Sequence, residues 1–147
     1  MSSRLKHSVA LAVSAAVAAA ALAGCGGDSE YCAAVKKEVP VLDTFGKKKT
    51  DKAYKNYKRA TSELAKVAPD SVRKDWTALT KAISNVQDAQ KDAKLKLQDV
   101  TVESVAGLST AQSQGLNTAY EKFTDAVAEH GQAVKDDVES ECGVKLK

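Results

Sequence analysis

Residues 70–97 carry the apolar pattern that most restricts how this chain folds. The apolar residues recur at alternating steps of four and three, a heptad-like spacing that places them on one face of an α-helix. The seam consists of Val72, Trp76, Leu79, Ile83, Val86, Gln90, Ala93 and Leu97. A helix of about 28 residues would be roughly 42 Å long. Because such a face is buried against other helices, the pattern predicts an all-α bundle.

Three other segments have a helical period. The first covers residues 29–42 and contains Pro40, which predicts a kink or a break there because proline lacks an amide donor. The second runs from about 50 to 68, and the last follows a predicted capping box of Ser109 and Gln112. The predicted apolar face of the last helix is Leu116, Tyr120, Phe123, Val127, His130, Val134, Val138 and Cys142.

Four helices with short links predict an antiparallel up-down bundle, which we assign to residues 31–147. A three-helix core with a loose first segment is the alternative. An even number of antiparallel helices would bring Cys32 and Cys142 to the same end of the bundle.

The N-terminal segment has the composition of an export signal. Arg4, Lys6 and His7 are followed by an uncharged run of 17 residues, 8–24, made mostly of Ala, Val and Leu. Because this run is shorter than the roughly 20 residues of a bilayer-spanning helix, a permanent transmembrane helix is the weaker interpretation.

The run ends in Leu22-Ala23-Gly24-Cys25, which resembles the lipobox of bacterial lipoproteins. The resemblance implies that residues 1–24 are removed as a signal peptide and that Cys25 carries diacylglycerol and acyl (palmitate-type) lipid. Residues 25–30 would then be a short tether to the outer face of the cell membrane. Cleavage after Ala21-Leu22-Ala23 by ordinary signal peptidase is the alternative, and it would release a secreted protein.

The three cysteines fit an exported protein. If Cys25 is lipidated, Cys32 and Cys142 remain, and oxidising conditions favour a disulfide between them. A bridge closing a loop of this size is worth roughly 4–5 kcal/mol in the chain-entropy model. Two unpaired core thiols are the alternative, and the absence of C-x-x-C argues against zinc.

Charge excludes one class of partner and suggests another. Residues 1–24 hold two of the 22 basic side chains and none of the 19 acidic ones, so the remainder is nearly neutral and gives no reason to expect nucleic acid. The sharpest basic feature is the Lys47-Lys48-Lys49 run, with Lys52 close behind. In the predicted bundle this loop lies far from the membrane, where we expect it to contact an anionic cell-wall polymer or an acidic envelope protein. A solvated loop is the alternative.

The sequence contains no motif for catalysis or for a cofactor. G-x-S-x-G, H-E-x-x-H and phosphate-loop patterns do not occur. His130 has only apolar helical neighbours, so we expect a core histidine paired with one nearby group. The acidic run at residues 136–141 lacks the calcium-loop pattern. We therefore predict no enzymatic activity, no metal and no cofactor beyond the lipid on Cys25.

The spacing of Tyr31-Cys32, Trp76-x-x-Leu79 and Glu141-Cys142-Gly143 is similar to that of small lipoproteins and small secreted proteins of high-GC Gram-positive bacteria. This resemblance implies export and a helical bundle, and no activity. We expect a lipid-anchored, non-enzymatic interaction or accessory module.

Two other functions are kept as alternatives. One is an extracytoplasmic binding protein that holds a small ligand between helices, lined by Trp76, Tyr57, Tyr120 and Phe123. In that case Gln90 would be either a pocket residue or a device that sets helix register. The other is a hydrolase that acts through His130.

Overall fold

Residues 29–147, which the structure describes, form five α-helices and no strands. The structure is a computed structural model. The helices are α1 (Glu30–Leu42), α2 (Asp51–Val67), α3 (Asp70–Asp92), α4 (Val102–Ala106) and α5 (Thr110–Cys142), with a short 3-10 turn at Leu97–Asp99. The all-α prediction is confirmed, while the predicted signal peptide and the lipid site at Cys25 lie outside the described residues.

Side-chain caps begin four of the five helices, and Thr101 caps the short α4. Ser29 accepts a hydrogen bond from the Cys32 amide at the start of α1, and Thr50 begins α2 in the same way. At the start of α5, the Ser109 hydroxyl accepts from the Gln112 amide while the Gln112 side chain accepts from the Ser109 amide. This is the predicted capping box, which satisfies two otherwise unpaired backbone amides.

Pro40 does not interrupt α1, so the predicted break is wrong. The helix continues to Leu42, and the Asp43 amide still donates to the Val39 carbonyl at 2.9 Å. Pro40 removes the one hydrogen bond that its own amide would donate, and the helical bonding resumes beyond it, so the helix runs on for its last residues.

α3 ends at Asp92, before the predicted end at Leu97. Lys94 adopts a left-handed backbone conformation with φ of 52°. The amide of Leu95 donates to the Gln90 carbonyl at 2.9 Å, and the amide of Lys94 donates to the Lys91 carbonyl at 3.0 Å. These two bonds form a Schellman motif, which terminates the helix although the apolar period continues.

The four long helices form a ring of neighbours. α1 packs against α2 and α5, α2 packs against α3, and α3 packs against α5. Because α1 has two helix neighbours and Val35 is fully buried, the alternative of a loose first segment is wrong.

Two apolar clusters fill the bundle. The cluster at the disulfide end joins the start of α1, the end of α2, the start of α3 and the end of α5; it contains Tyr31, Cys32, Val35, Leu64, Ala68, Val72, Trp76, Leu79, Val134 and Val138. The second cluster, at the opposite end, contains Tyr54, Tyr57, Ala82, Ile83, Val86, Ala119 and Phe123. This order of starts and ends is that of the predicted up-down bundle.

A disulfide closes the bundle as predicted. Cys32 and Cys142 are bonded across a sequence separation of 110, with their Cα atoms 5.1 Å apart. After Cys142 the chain turns back at Gly143, and Val144 and Leu146 pack against the disulfide-end cluster. The Lys147 amide donates to Asp43 at 2.9 Å, so this C-terminal segment extends along α1 from the disulfide to the end of that helix.

Candidate functional site

Eight lysines converge at the end of the bundle opposite the disulfide. We call this surface the basic end; it consists of Lys47, Lys48, Lys49, Lys52, Lys55, Lys91, Lys94 and Lys96, all exposed. The two segments that carry them, residues 47–55 and 91–96, contain only Asp51 and Asp92 as acids. The structure therefore adds a second lysine segment to the one that the sequence singled out.

Asp51 joins these two segments. One of its carboxylate oxygens accepts from the Leu97 amide at 2.8 Å, and its own amide donates to the Gln98 side chain at 3.1 Å. Because the carboxylate is held by that backbone amide, it fixes the position of the segment after α3 against the start of α2.

A cavity of about 390 Å³ opens between the two segments, and we call it the lysine cavity. Four of the lysines line it, together with one acid, two glutamines and one leucine. These residues are Asp51, Lys55, Gln87, Gln90, Lys91, Lys94, Leu95 and Lys96. With four ammonium groups and a single carboxylate around it, the cavity is suited to an anion.

Gln90 forms part of this cavity wall and also links α3 to α5, which fits both of the roles expected for it. It is only 7% exposed, and its amide donates to the Tyr120 hydroxyl on α5 at 3.0 Å. Burial, with a contribution from the Asp51 charge, raises the pKa of Tyr120 to about 12. The phenol is therefore neutral at physiological pH and holds the Gln90 amide in place.

A second cavity, of about 290 Å³, lies on the other side of the start of α2. Lys48 and Lys52 line it beside the last turn of α1 and Phe45. The basic end thus has a lysine-bearing depression on each side of the α2 N-terminus.

Of the four aromatic residues proposed to line a ligand site, the structure separates Trp76 from Tyr57, Phe123 and Tyr120, which lie in or against the second cluster. Trp76 is 1% exposed in the disulfide-end cluster, whereas Tyr57 and Phe123 lie in the second cluster. There, Phe45 from the α1–α2 connection stacks on Tyr57 with 3.8 Å between ring centroids and meets Phe123 edge-on at 5.7 Å. These three rings pack against one another as core.

The disulfide end contains a buried hydrogen-bonded chain. The Trp76 indole donates to the Tyr31 hydroxyl at 3.0 Å, and that hydroxyl donates to Asp137 at 2.9 Å. Burial raises the pKa of Tyr31 far above its ordinary value, so the phenol keeps its proton. Asp137 belongs to the acidic run of α5, so one carboxylate of that run is hydrogen-bonded to the core at the disulfide end.

His130 is paired as the sequence predicts. Its Nδ1 lies 2.8 Å from a carboxylate oxygen of Asp75, which is only 5% exposed. Its Nε2 lies 3.9 Å from Glu129. Val127 was predicted on the same buried face, but its side chain is 39% exposed. It lies between the part of α5 that packs in the second cluster and the part that packs in the disulfide-end cluster.

The predicted site residues separate into two groups. Lys47, Lys48, Lys49 and Lys52 are exposed at the basic end, and Cys32 and Cys142 are bonded at the other. Among residues 29–147 no group of three or more His, Cys, Asp or Glu side chains is placed to hold a metal ion. In the same part of the chain, no helix combines the length and the apolar character needed to cross a membrane.

Sequence reasoning missed Lys91, Lys94 and Lys96. Their segment reads as the continuation of the α3 seam, since Ala93 and Leu97 fall at heptad spacing. The signal that could have found them is the density of lysines in residues 91–96, which is unusual for a helical segment whose apolar face is buried in a core.

Comparison with known proteins adds no relative. No family model matches this chain, and no curated protein sequence or solved structure is detectably similar to it.

Proposed function

We propose that this protein is an exported lipoprotein whose helical bundle is a non-enzymatic interaction module, and that its basic end binds an anionic polymer of the cell wall. The observation that carries the proposal is the convergence of two lysine segments at the end of the bundle opposite the disulfide. Eight exposed lysines with two acids among them form a surface on which polyanions concentrate.

The bundle geometry supports an outward-facing basic end. Seven positions separate Cys25 from Cys32, so a lipid on Cys25 would hold the disulfide end within about 25 Å of the membrane. The 23 residues of α3 extend about 35 Å towards the opposite end. That distance is about four Debye lengths of about 8 Å, so the charge of the lipid head groups is screened at the basic end. The lysines would therefore face the wall rather than the lipid head groups.

Binding to a polymer is favoured over catalysis by the surroundings of His130 and Asp75, the one candidate acid–base pair in residues 29–147. His130 is paired to Asp75, and its other ring nitrogen is nearest to the Glu129 carboxylate. Among the described residues, no hydroxyl or thiol is hydrogen-bonded to His130, as a nucleophile activated by a histidine would be.

The test is retention of the purified protein on isolated cell-wall material. Replacing Lys47, Lys48 and Lys49 by glutamine removes three charges from the basic end. We expect the bound fraction to fall by about fivefold or more, since exposed charge pairs contribute about 0.2–1 kcal/mol each. Retention should also weaken as salt is raised.

The matched control is Lys66→Gln, Lys74→Gln and Lys81→Gln, which removes three exposed lysines away from the basic end. This control should bind as the unchanged protein does. Equal retention of the unchanged protein and the Lys47–Lys49 variant would overturn the proposal.

A further inference from the structure

The lysine cavity gives the basic end a defined ligand position. We propose that this cavity binds a phosphate group, so that a phosphate-bearing wall polymer is held there. This inference rests on the proposed function and names the chemistry of its ligand. It uses Lys55, Lys91, Lys94 and Lys96, which come from two helices and the turn after α3.

The cations around the cavity are of one kind. Lysine is a common ligand of phosphate groups, which it binds as a compact point charge. The two arginines of the described chain are engaged elsewhere: Arg59 binds Glu38, and Arg73 binds Asp70 and the Ala68 carbonyl. Only lysines supply cations to the cavity.

The charge balance also suits an oxyanion. The one acid in the wall, Asp51, already accepts a hydrogen bond from the Leu97 amide. Four ammonium groups facing one committed carboxylate leave an excess of positive charge, which an anion would neutralise.

The size of the cavity leaves room beside a phosphate. A volume of about 390 Å³ exceeds what an isolated phosphate fills, and Leu95 and the lysine stems give it apolar wall. The carbon atoms of a sugar or polyol phosphate would pack there. Gln87 and Gln90 present side-chain amides that can bond the ester or hydroxyl oxygens.

Backbone strain at Lys94 is an independent observation. It is the one non-glycine residue with positive φ in residues 29–147, and it occupies the helix-terminating position that glycine usually holds. α5 ends with glycine in the left-handed conformation, at Gly143. A lysine kept in a strained conformation beside a cavity points to a use for its side chain there.

The experiment is isothermal titration of the protein, purified after expression of the whole chain, with three probes. Inorganic phosphate represents the free anion, a glycerol-phosphate oligomer represents a polymer, and polyglutamate of equal charge is the carboxylate comparison. The test variant is Lys91→Gln, Lys94→Gln and Lys96→Gln, and the matched control is the variant with Lys66→Gln, Lys74→Gln and Lys81→Gln, three exposed lysines away from the basic end.

We expect the oligomer to bind more tightly than polyglutamate, and the cavity variant to weaken its binding about tenfold or more. The control variant should leave the affinity for the oligomer unchanged. Saturable binding of inorganic phosphate that the cavity variant loses would identify free phosphate as a ligand, whereas loss with the oligomer alone would identify the polymer.

Other results overturn the inference and separate it from the proposed function. Equal losses in both variants, or equal binding of polyglutamate, would reject the phosphate cavity while wall retention stands. Absence of binding to the phosphate probes by a protein that is retained on wall material would also reject the cavity alone. If the protein is not retained on wall material and does not bind the phosphate probes, both proposals are rejected.

A pair of single variants tests Lys94 without loss of folding. Lys94→Gly removes both strain and charge, so the midpoint of thermal unfolding should rise by a few degrees while oligomer affinity falls about twofold to fivefold. Lys94→Gln should lower affinity equally without raising the midpoint. Unchanged affinity in both variants would overturn the role of this lysine.

Discussion

Glu38 shows how a charged residue is accommodated between helices. It is 3% exposed on α1, and its two carboxylate oxygens accept hydrogen bonds from Arg59 on α2 at 2.8 and 2.6 Å. These hydrogen bonds lower the pKa of Glu38, outweighing the opposing effect of burial. Nothing in the apolar spacing predicts this pair, because the helical period treats acidic residues as solvent-facing.

We predict that Arg59→Gln lowers the free energy of unfolding by about 1–2 kcal/mol at pH 7, since Glu38 is left buried beside a neutral side chain. A carboxyl with a lowered folded pKa stabilises the fold above its unfolded pKa, and this contribution is lost as pH falls through the folded pKa. The difference from the unchanged protein should therefore shrink below about pH 4.5. Urea unfolding of both proteins at pH 7 and at pH 3 measures this difference in the free energy of unfolding.

Lys66→Gln is the control for this change, because it removes an exposed cation from the same helix. It should shift the urea midpoint little at either pH. A difference between the unchanged protein and Arg59→Gln that stays constant across this range would contradict the assignment.

At the scale of the elements, α5 contains glycines in two different conformations. Gly131 lies in the helix interior, where an added Cβ would meet only a Val127 methyl group at an ordinary 3.7 Å. Gly143 ends the helix with φ of 63°, and its amide donates to the Glu139 carbonyl at 3.1 Å. The same substitution should therefore have opposite effects at these two positions.

We predict that Gly131→Ala raises the free energy of unfolding by about 0.5–1 kcal/mol, since alanine loses less backbone freedom in a helix. Gly143→Ala should lower it by about 1 kcal/mol, because a Cβ disfavours the left-handed conformation. Urea unfolding followed by far-ultraviolet circular dichroism compares the two. Changes of the same sign would show that backbone conformation does not determine how alanine affects the free energy of unfolding at these two positions.

At the scale of the whole molecule, the disulfide joins the beginning of α1 to the end of α5. The separation of 110 residues means that it constrains nearly all of the unfolded bundle. Trp76, which is fully buried in the cluster beside the bridge, reports unfolding there by its fluorescence.

We predict that replacing Cys32 and Cys142 by serine lowers the free energy of unfolding by roughly 4–5 kcal/mol, the loop-closure term of the chain-entropy model. The Trp76 emission should then shift at a much lower urea concentration. Cys25→Ser, compared in protein made without the lipid, is the control, because it removes a cysteine outside the bridge and should leave the midpoint unchanged. Equal midpoints for the bridged and serine proteins would contradict a structural role.

The sequence by itself determined the features that depend on local order. The 3.6-residue period predicted the four long helices, the capping box of Ser109 and Gln112 predicted where α5 begins, and the cysteine parity predicted the bridge. The helices and caps depend on residues a few positions apart, and the bridge was predicted from the number of cysteines. Sequence spacing and residue number do not change when the chain folds. The same reasoning predicted that Lys47–Lys49 lie away from the disulfide.

Only the tertiary structure decided which distant residues meet. The Asp51 bond to the Leu97 amide and the left-handed Lys94 determine where the segment after α3 lies, and so bring Lys96 to the wall of a cavity that Lys91 of α3 also lines. The insertion of Phe45 into the second cluster is likewise a long-range contact. Such contacts depend on the packing angles and lengths of whole helices, because no repeat in the sequence specifies which loops become neighbours. The candidate ligand site is therefore a product of the assembled bundle.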